Sequence, residues 1–304
     1  MINQPSDVTA IEGVRAAVPC TCGELFQGAL DGLPCLVSCP IDIYSRAQII
    51  GPGECLETGL GEKAKKALQW INRRTGRTLK ARVKNPLPAG RGFGASTADI
   101  GATLFAAGRA SGWDLTPNEA SQAAVRIEPT DSTLFPGLTL FDHLGGGFET
   151  YLGEPPPARL IILDPGGLVD SETYNRVNRR EIFHRLAAEH RDAFRLLQQG
   201  VATGDLQAIG EAATLSARIH QSILYNPWVD EAFRLAKMFG AVGTVRAHSG
   251  TVVGLLFPVV VDDGPIVRLI NDQYMEKITI ILAGLTTGGP RYDPMIEERE
   301  AVFS

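Results

Sequence analysis

Apolar and polar positions along the chain change their period from segment to segment, and each change marks an element. Residues 14–19 and 36–50 are rich in Val, Ile and Tyr, punctuated by Pro and Gly, which predicts strands. Residues 61–74 read as a helix. Residues 77–84 alternate apolar and basic side chains, as an exposed strand does. Residues 96–110 are rich in Ala and end near Gly112, the pattern of a buried helix. Thr116-Pro117-Asn118-Glu119 starts another: Thr caps the free amides, Pro suits the first turn, and Glu sits where it can reach back to the cap. That helix runs to about Ile127.

Gly145-Gly146-Gly147 and Pro155-Pro156-Pro157 then interrupt the pattern, and a domain boundary is expected near Pro155, dividing the chain into 1–155 and 156–304. Beyond it, 159–163 predicts a short strand, 178–199 and 205–224 predict helices, and Asn226-Pro227 starts a further helix. Strands follow within 244–257 and over 277–282, with a helix at about 265–275 between them. Strands and helices in this mixed order give an α+β class.

The 304 residues exceed the usual size of one hydrophobic core, consistent with two domains. At 44% hydrophobic and 21% charged, the chain should fold without metals or disulfides. The net charge is −5 and the densest basic stretch, 63–84, carries little beyond a solvated helix and strand, so no nucleic-acid partner is expected. Residues 1–10 lack the basic and apolar regions of a signal peptide, and the longest apolar run, 251–261, is broken by Gly254 and Pro258. It falls short of the ~20 residues that span a bilayer. These observations predict a cytoplasmic protein with no membrane partner. Cys20, Cys22, Cys35, Cys39 and Cys55 lack a nearby His and the C-x₂-C spacing of a zinc site, so they are expected to be small, half-buried residues.

The most informative stretch is Pro86-Leu87-Pro88-Ala89-Gly90-Arg91-Gly92-Phe93-Gly94-Ala95-Ser96-Thr97. Its glycines allow backbone angles that converge N–H groups on an anion, and Ser96 and Thr97 sit where a helix begins. A helix start carries free N–H donors and about half a positive charge, so the pattern predicts a phosphate cradle. No G-x-x-x-x-G-K-[S/T] is present, which excludes a P-loop. Two prolines before the loop, and no acidic strand end ~20 residues on, exclude a dinucleotide fingerprint.

Three further clusters stand out. Ile127-Glu128-Pro129-Thr130-Asp131-Ser132 puts two carboxylates three residues apart at a helix exit, where they can serve as a Mg²⁺ ligand and a base. Its plain alternative is a solvated turn. Ala247-His248-Ser249-Gly250-Thr251 lies between two strand-like runs, where a β-turn with a structural histidine is the alternative. Residues 19–28 read as a strand end and turn bearing one acid, Glu24, and one amide, Gln27.

At these residues the chain resembles the GHMP kinase superfamily, which includes galactokinase, homoserine kinase and mevalonate kinase. Residues 19–28 resemble its first motif, 88–97 its second, the P-x-x-x-G-L-G-S-S-A phosphate loop, and 247–251 its third. Within the superfamily, C-G-E-L-F-Q-G, S-T-A-D-I, E-P-T-D-S and A-H-S-G-T-V-V-G are similar to the L-threonine kinases of cobalamin biosynthesis. The resemblance implies ATP- and Mg²⁺-dependent phosphorylation of L-threonine to O-phospho-L-threonine, which feeds the aminopropanol arm of that pathway. It implies an N-terminal domain like ribosomal protein S5 domain 2, a ferredoxin-like C-terminal domain, and an active site in the cleft between them.

By position, Pro88, Ala89 and residues 90–97 would wrap the ATP phosphates. Ser96 would contact Mg²⁺ or the β-phosphate, Glu128 would bind Mg²⁺, and Asp131 would be the base, with the two carboxylates able to exchange roles. Glu24, Gln27, His248 and Ser249 would face the substrate. Asp42 and Asp142 are weaker candidates for the ammonium group, with turn roles as the alternative. The chain departs from the superfamily at Phe93 and at Ala95-Ser96, which leaves one hydroxyl in place of a pair. It has no Lys in the first motif to assist the base, and Arg91 is a candidate to supply charge to the phosphates. A GHMP kinase for another small alcohol such as homoserine, and a non-catalytic ligand-binding protein of this fold, are the competing readings. The sequence leaves a homodimer open.

Overall fold

Two long strands form the spine of the molecule. The computed structural model describes residues 13–51, 60–167, 179–274 and 277–292, with the backbone of 302–303. Strands β1 (Arg15–Leu30) and β2 (Leu33–Ile50) form an antiparallel hairpin. It turns at Asp31-Gly32, whose φ angles of 50° and 81° are the pair a tight two-residue hairpin loop demands. Residues 19–28, expected as a strand end and turn, are continuous strand. The β1–β2 register shifts three times between Pro19 and Phe26, and these bulges take up Pro19 and Gly23 without ending the strand.

The remaining strands are β3 (Lys80–Lys84), β4 (Leu138–Phe141), β5 (Glu149–Gly153), β6 (Ala158–Asp164), β7 (Gly243–Arg246), β8 (Val253–Pro258), β9 (Thr279–Gly284), β10 (Arg291–Tyr292) and β11 (Val302–Phe303). They join one sheet in the order β11-β9-β6-β8-β7-β1-β2-β4-β5, with β3 on β2 and β10 on β1. The sheet crosses from the first half of the chain to the second where Glu24 of β1 pairs with Arg246 of β7. That junction places bulged β1 between the halves, which is where the site forms.

The helices are α1 (Glu62–Thr75), α2 (Ala95–Ala110), α3 (Pro117–Val125), α4 (Arg180–Arg185), α5 (Ala187–Thr203), α6 (Leu206–Gln221), α7 (Pro227–Phe239) and α8 (Asp263–Tyr274). The small side chains of α2 let it sink against β1 and β2, so that nearly every residue of it is buried. α3 begins as its sequence predicts: the Glu119 amide donates to Thr116 Oγ1 at 3.2 Å, and the Thr116 amide donates to Glu119 Oε2 at 2.8 Å. The helix expected over 178–199 is two helices, broken at Leu186, whose ψ is 12°; residue 178 lies outside the described residues. α5 and α6 pack on β1, and α7 packs on β7 and β8. A second apolar cluster forms between β6, β8, β9, α7 and α8.

Cys20, Cys22, Cys35 and Cys39 are free thiols and fully buried, where half-buried positions were expected; burial pushes Cys20 up to about 12, and they act as packing residues. Cys55 lies outside the described residues. No helix among the described residues is long and apolar enough to cross a membrane.

Candidate active site

Backbone contacts clamp three separate stretches together. The Thr21 amide of β1 donates to the Phe93 carbonyl at 2.8 Å, and the Gly23 amide donates to the Gly92 carbonyl at 3.3 Å. The amides of Thr251 and Val252, in the β7–β8 turn, both donate to the Arg91 carbonyl at 2.9 and 3.1 Å. Glycine is required at this junction for space. A Cβ on Gly92 would lie 2.2 Å from the Ala247 Cβ, and one on Gly250 would lie 2.3 Å from the Arg91 carbonyl oxygen. Gly23, Gly92 and Gly250 thus let three backbones touch, in addition to shaping a loop.

Gly94, with φ 59°, is the N-cap of α2 and supplies no side-chain cap. The first helical bond runs from the Ala98 amide to the Gly94 carbonyl at 2.9 Å, which leaves the amides before it without a helical acceptor. A bare helix start on a glycine loop is a ready anion site. The loop and helix start open on a cleft lined by Glu24, Leu36, Gly90, Gly92–Thr97, Glu128–Asp131, His143, His248 and Ser249.

Three carboxylates meet there. Glu24 is buried and its Oε2 has no hydrogen-bond partner. Burial, and then the nearby Asp131 charge, push its carboxyl well above the usual range against a hydrogen bond from Ser38. Asp131 stands against Gly94, where a Cβ would approach its Oδ2 to 2.7 Å. Desolvation raises Asp131 to about 6; a hydrogen bond to Thr97 opposes the rise and the Glu128 charge adds to it. Glu128 forms an ion pair with Lys63 of α1 through Oε2, while its buried Oε1 has no partner.

Beside the acids lies a stack of uncharged histidines. His143 and His248 meet edge-on at 5.0 Å between ring centroids, and His220 and His248 lie 5.2 Å apart. Burial lowers all three, His143 to about 4. Gln27 Oε1 lies 2.9 Å from His248 Nδ1, and the Gln27 amide nitrogen donates to the Arg246 carbonyl at 3.5 Å. That second bond turns Oε1 toward the ring, so Nδ1 is the donor to Gln27.

A family model for the GHMP kinases N terminal domain matches residues 62–135. The L-threonine kinase of Salmonella typhimurium is 34% identical over 250 residues, covering 79% of this chain and 82% of that one. The L-threonine kinase of Citrobacter freundii is 33% identical over 245 residues, covering 79% and 85%. The chain belongs to the GHMP kinase family. The solved structure of homoserine kinase from Cytophaga hutchinsonii superimposes with a TM-score of 0.67 at 14% identity, covering 96% of this chain and 99% of that chain, a likeness of fold. Membership makes the chain a small-molecule kinase of a family that uses ATP.

In this GHMP kinase the cleft gathers Glu24, Gly90, Gly92–Thr97, Glu128, Asp131, His248 and Ser249. Other expected residues fall elsewhere. Pro88 and Ala89 are outside the lining. Arg91 turns its guanidinium onto Asp164 of β6 at 2.6 Å, so its charge is committed to that ion pair. Gln27 is fully buried behind His248 and orients it without lining the cleft. Asp42 accepts from the Gly284 amide at 2.7 Å, a link between β2 and β9. Asp142 accepts from the amides of Leu144, Gly145 and Gly147, which is the turn role given as its alternative. Leu36 and His143 had no sequence signal, since each reaches the cleft only through tertiary packing; Lys63, outside the lining, bears on it only through its ion pair with Glu128.

Proposed function

We propose that the chain is an L-threonine kinase that transfers the γ-phosphoryl group of ATP to the threonine hydroxyl. The supporting observation is a bare helix start on a glycine loop beside the buried Glu24 and the half-buried Asp131, in a chain 34% identical to an L-threonine kinase. Residues 90–97 hold the phosphates through backbone amides. Asp131, raised to about 6, is ionised at neutral pH yet more basic than an exposed carboxylate, which suits a general base. It takes the hydroxyl proton as the threonine oxygen bonds to phosphorus and the bond to ADP breaks. Glu24 faces the ammonium group, and a cation beside it draws its carboxyl back toward the charged form.

The donor set fits Mg²⁺. Glu128 offers a buried Oε1 without a partner, and Ser96 brings its hydroxyl to the same cleft. No cluster of three or more His, Cys, Asp or Glu among the described residues could hold a metal alone, and Mg²⁺ at kinase sites relies on one or two carboxylates plus phosphates. Bound there, it neutralises phosphate charge during transfer.

We assign residues 1–155 to the ATP-binding domain and 156–304 to the second domain. The setting is a cytoplasmic enzyme that supplies the aminopropanol arm of cobalamin biosynthesis and binds no nucleic acid. The test is product analysis by mass and ³¹P NMR after incubation with Mg·ATP and L-threonine. O-phospho-L-threonine is expected. A phosphate ester of L-homoserine alone, in a mixed-acceptor reaction, would replace the substrate and keep the kinase. ATP binding with no ester formed would support the non-catalytic reading.

A further inference from the structure

His143 belongs to none of the clusters singled out in the sequence, yet the fold delivers it to the cleft. β4 ends at Phe141, and the carboxylate of the next residue, Asp142, accepts from three amides of the following turn, those of Leu144 at 3.2 Å and of Gly145 and Gly147 at 2.9 Å. That turn fixes the backbone of His143, whose carbonyl accepts from the Thr130 amide at 2.9 Å. The main chain of His143 therefore anchors the segment carrying Glu128 and Asp131. Its ring lines the cleft with Glu24, Leu36 and His248.

The ring is only 4% exposed, and its Nδ1 is buried without a hydrogen-bond partner. An unpaired polar atom in a protein interior costs stability that an apolar side chain of the same shape would not. The imidazole is thus poorly explained by packing, and a polar ligand in the cleft would give it a use. The surroundings select which polar group. The acid side chains at this end, Glu24 and Asp131, suit an ammonium group and a hydroxyl and repel a carboxylate. Two cations near the cleft are already engaged, Arg91 by Asp164 and Lys63 by Glu128. Burial keeps His143 uncharged, and a neutral imidazole always retains one N–H donor.

We propose that His143 is a specificity-determining residue whose imidazole donates a hydrogen bond to the carboxylate of the amino-acid acceptor. The assignment rests on the threonine reading and adds the group that separates an amino acid from a simple amino alcohol.

The test compares L-threonine with 1-aminopropan-2-ol, which is threonine without its carboxylate. Its affinity is read as Ki against L-threonine, so it need not turn over. H143L should raise KM for L-threonine roughly 10- to 100-fold, the range for a hydrogen bond to a charged group. KM for Mg·ATP and the Ki of 1-aminopropan-2-ol should stay unchanged. H143Q, which restores an N–H donor, should recover part of the loss, and H143F serves as the apolar variant if H143L does not fold. Wild-type protein that ignores L-threonine would overturn the threonine reading and this assignment with it. A threonine-dependent wild type whose apolar variant weakens both ligands equally, or neither, would overturn the His143 assignment alone.

Discussion

The two ends of the cleft are built from different materials. The phosphate end is backbone: a loop of glycines and the uncapped start of α2, contributed by one short run of chain. The acceptor end is side chains, with Glu24 from bulged β1, Asp131 from the exit of α3, His143 from the turn after β4 and His248 from the β7–β8 turn. Backbone amides have fixed partial charges and bind an anion at any ordinary pH. The acids and histidines owe their properties to burial, which holds Asp131 near 6 and the histidines neutral. On the proposed function, the first end would grip the phosphates, and the second would do the proton chemistry and choose the acceptor.

If this division holds, substitutions at the two ends should separate cleanly in kinetics. The largest effect is expected from D131N, which should lower kcat by ~10² or more with KM for Mg·ATP little changed, as loss of a base does. Near-normal turnover would remove Asp131 from that role. The same variant should be more stable. The carboxyl of Asp131 is raised from 3.8 to about 6 on folding, so the folded state binds its proton more tightly than the unfolded chain. Stability is then lost as pH rises from about 4 to 6, and the cost is fully present above that window. D131N removes the cost, and its Tm at pH 8 should exceed that of the wild type; a lower Tm would contradict the buried-acid account.

The next effect is the pH profile. The acid limb of kcat/KM for L-threonine should fall about tenfold per pH unit below roughly 6 in the wild type and vanish from the residual activity of D131N. A limb retained in D131N would move the base to another group. The smallest effect belongs to the phosphate end. S96A should raise KM for Mg·ATP about tenfold, because one hydroxyl contact is lost while the backbone amides remain. Its KM for L-threonine should hold. Unchanged kinetics across a Mg²⁺ titration would show that the hydroxyl touches neither metal nor phosphate.

The same contrast explains which parts could be read from sequence. The phosphate end was legible because its requirements are local: Gly94 before a helix start, and Ser96 in its first turn. The capping box at Thr116 and Glu119 was legible for the same reason. The strand through residues 19–28 was not, since Pro19 and Gly23 mimic a turn and only pairing with β2 shows that they are bulges. Lys63 reads as one basic residue in a solvated helix until α1 is placed beside Glu128. Arg91 reads as a phosphate ligand until β6 presents Asp164. Gln27 and His248 were both noted, but that one holds the other follows only from the β1–β7 junction. Contacts between elements distant in sequence carry these facts, and no spacing encodes them.

The most direct test of the account is acceptor-dependent ADP release by the purified protein with Mg·ATP, comparing L-threonine, L-serine, L-homoserine and no acceptor. L-threonine should stimulate release strongly, the other two more weakly, and the rate without acceptor should be low. Equal ADP release in all four reactions, or stimulation by L-homoserine in preference to L-threonine, would contradict the account.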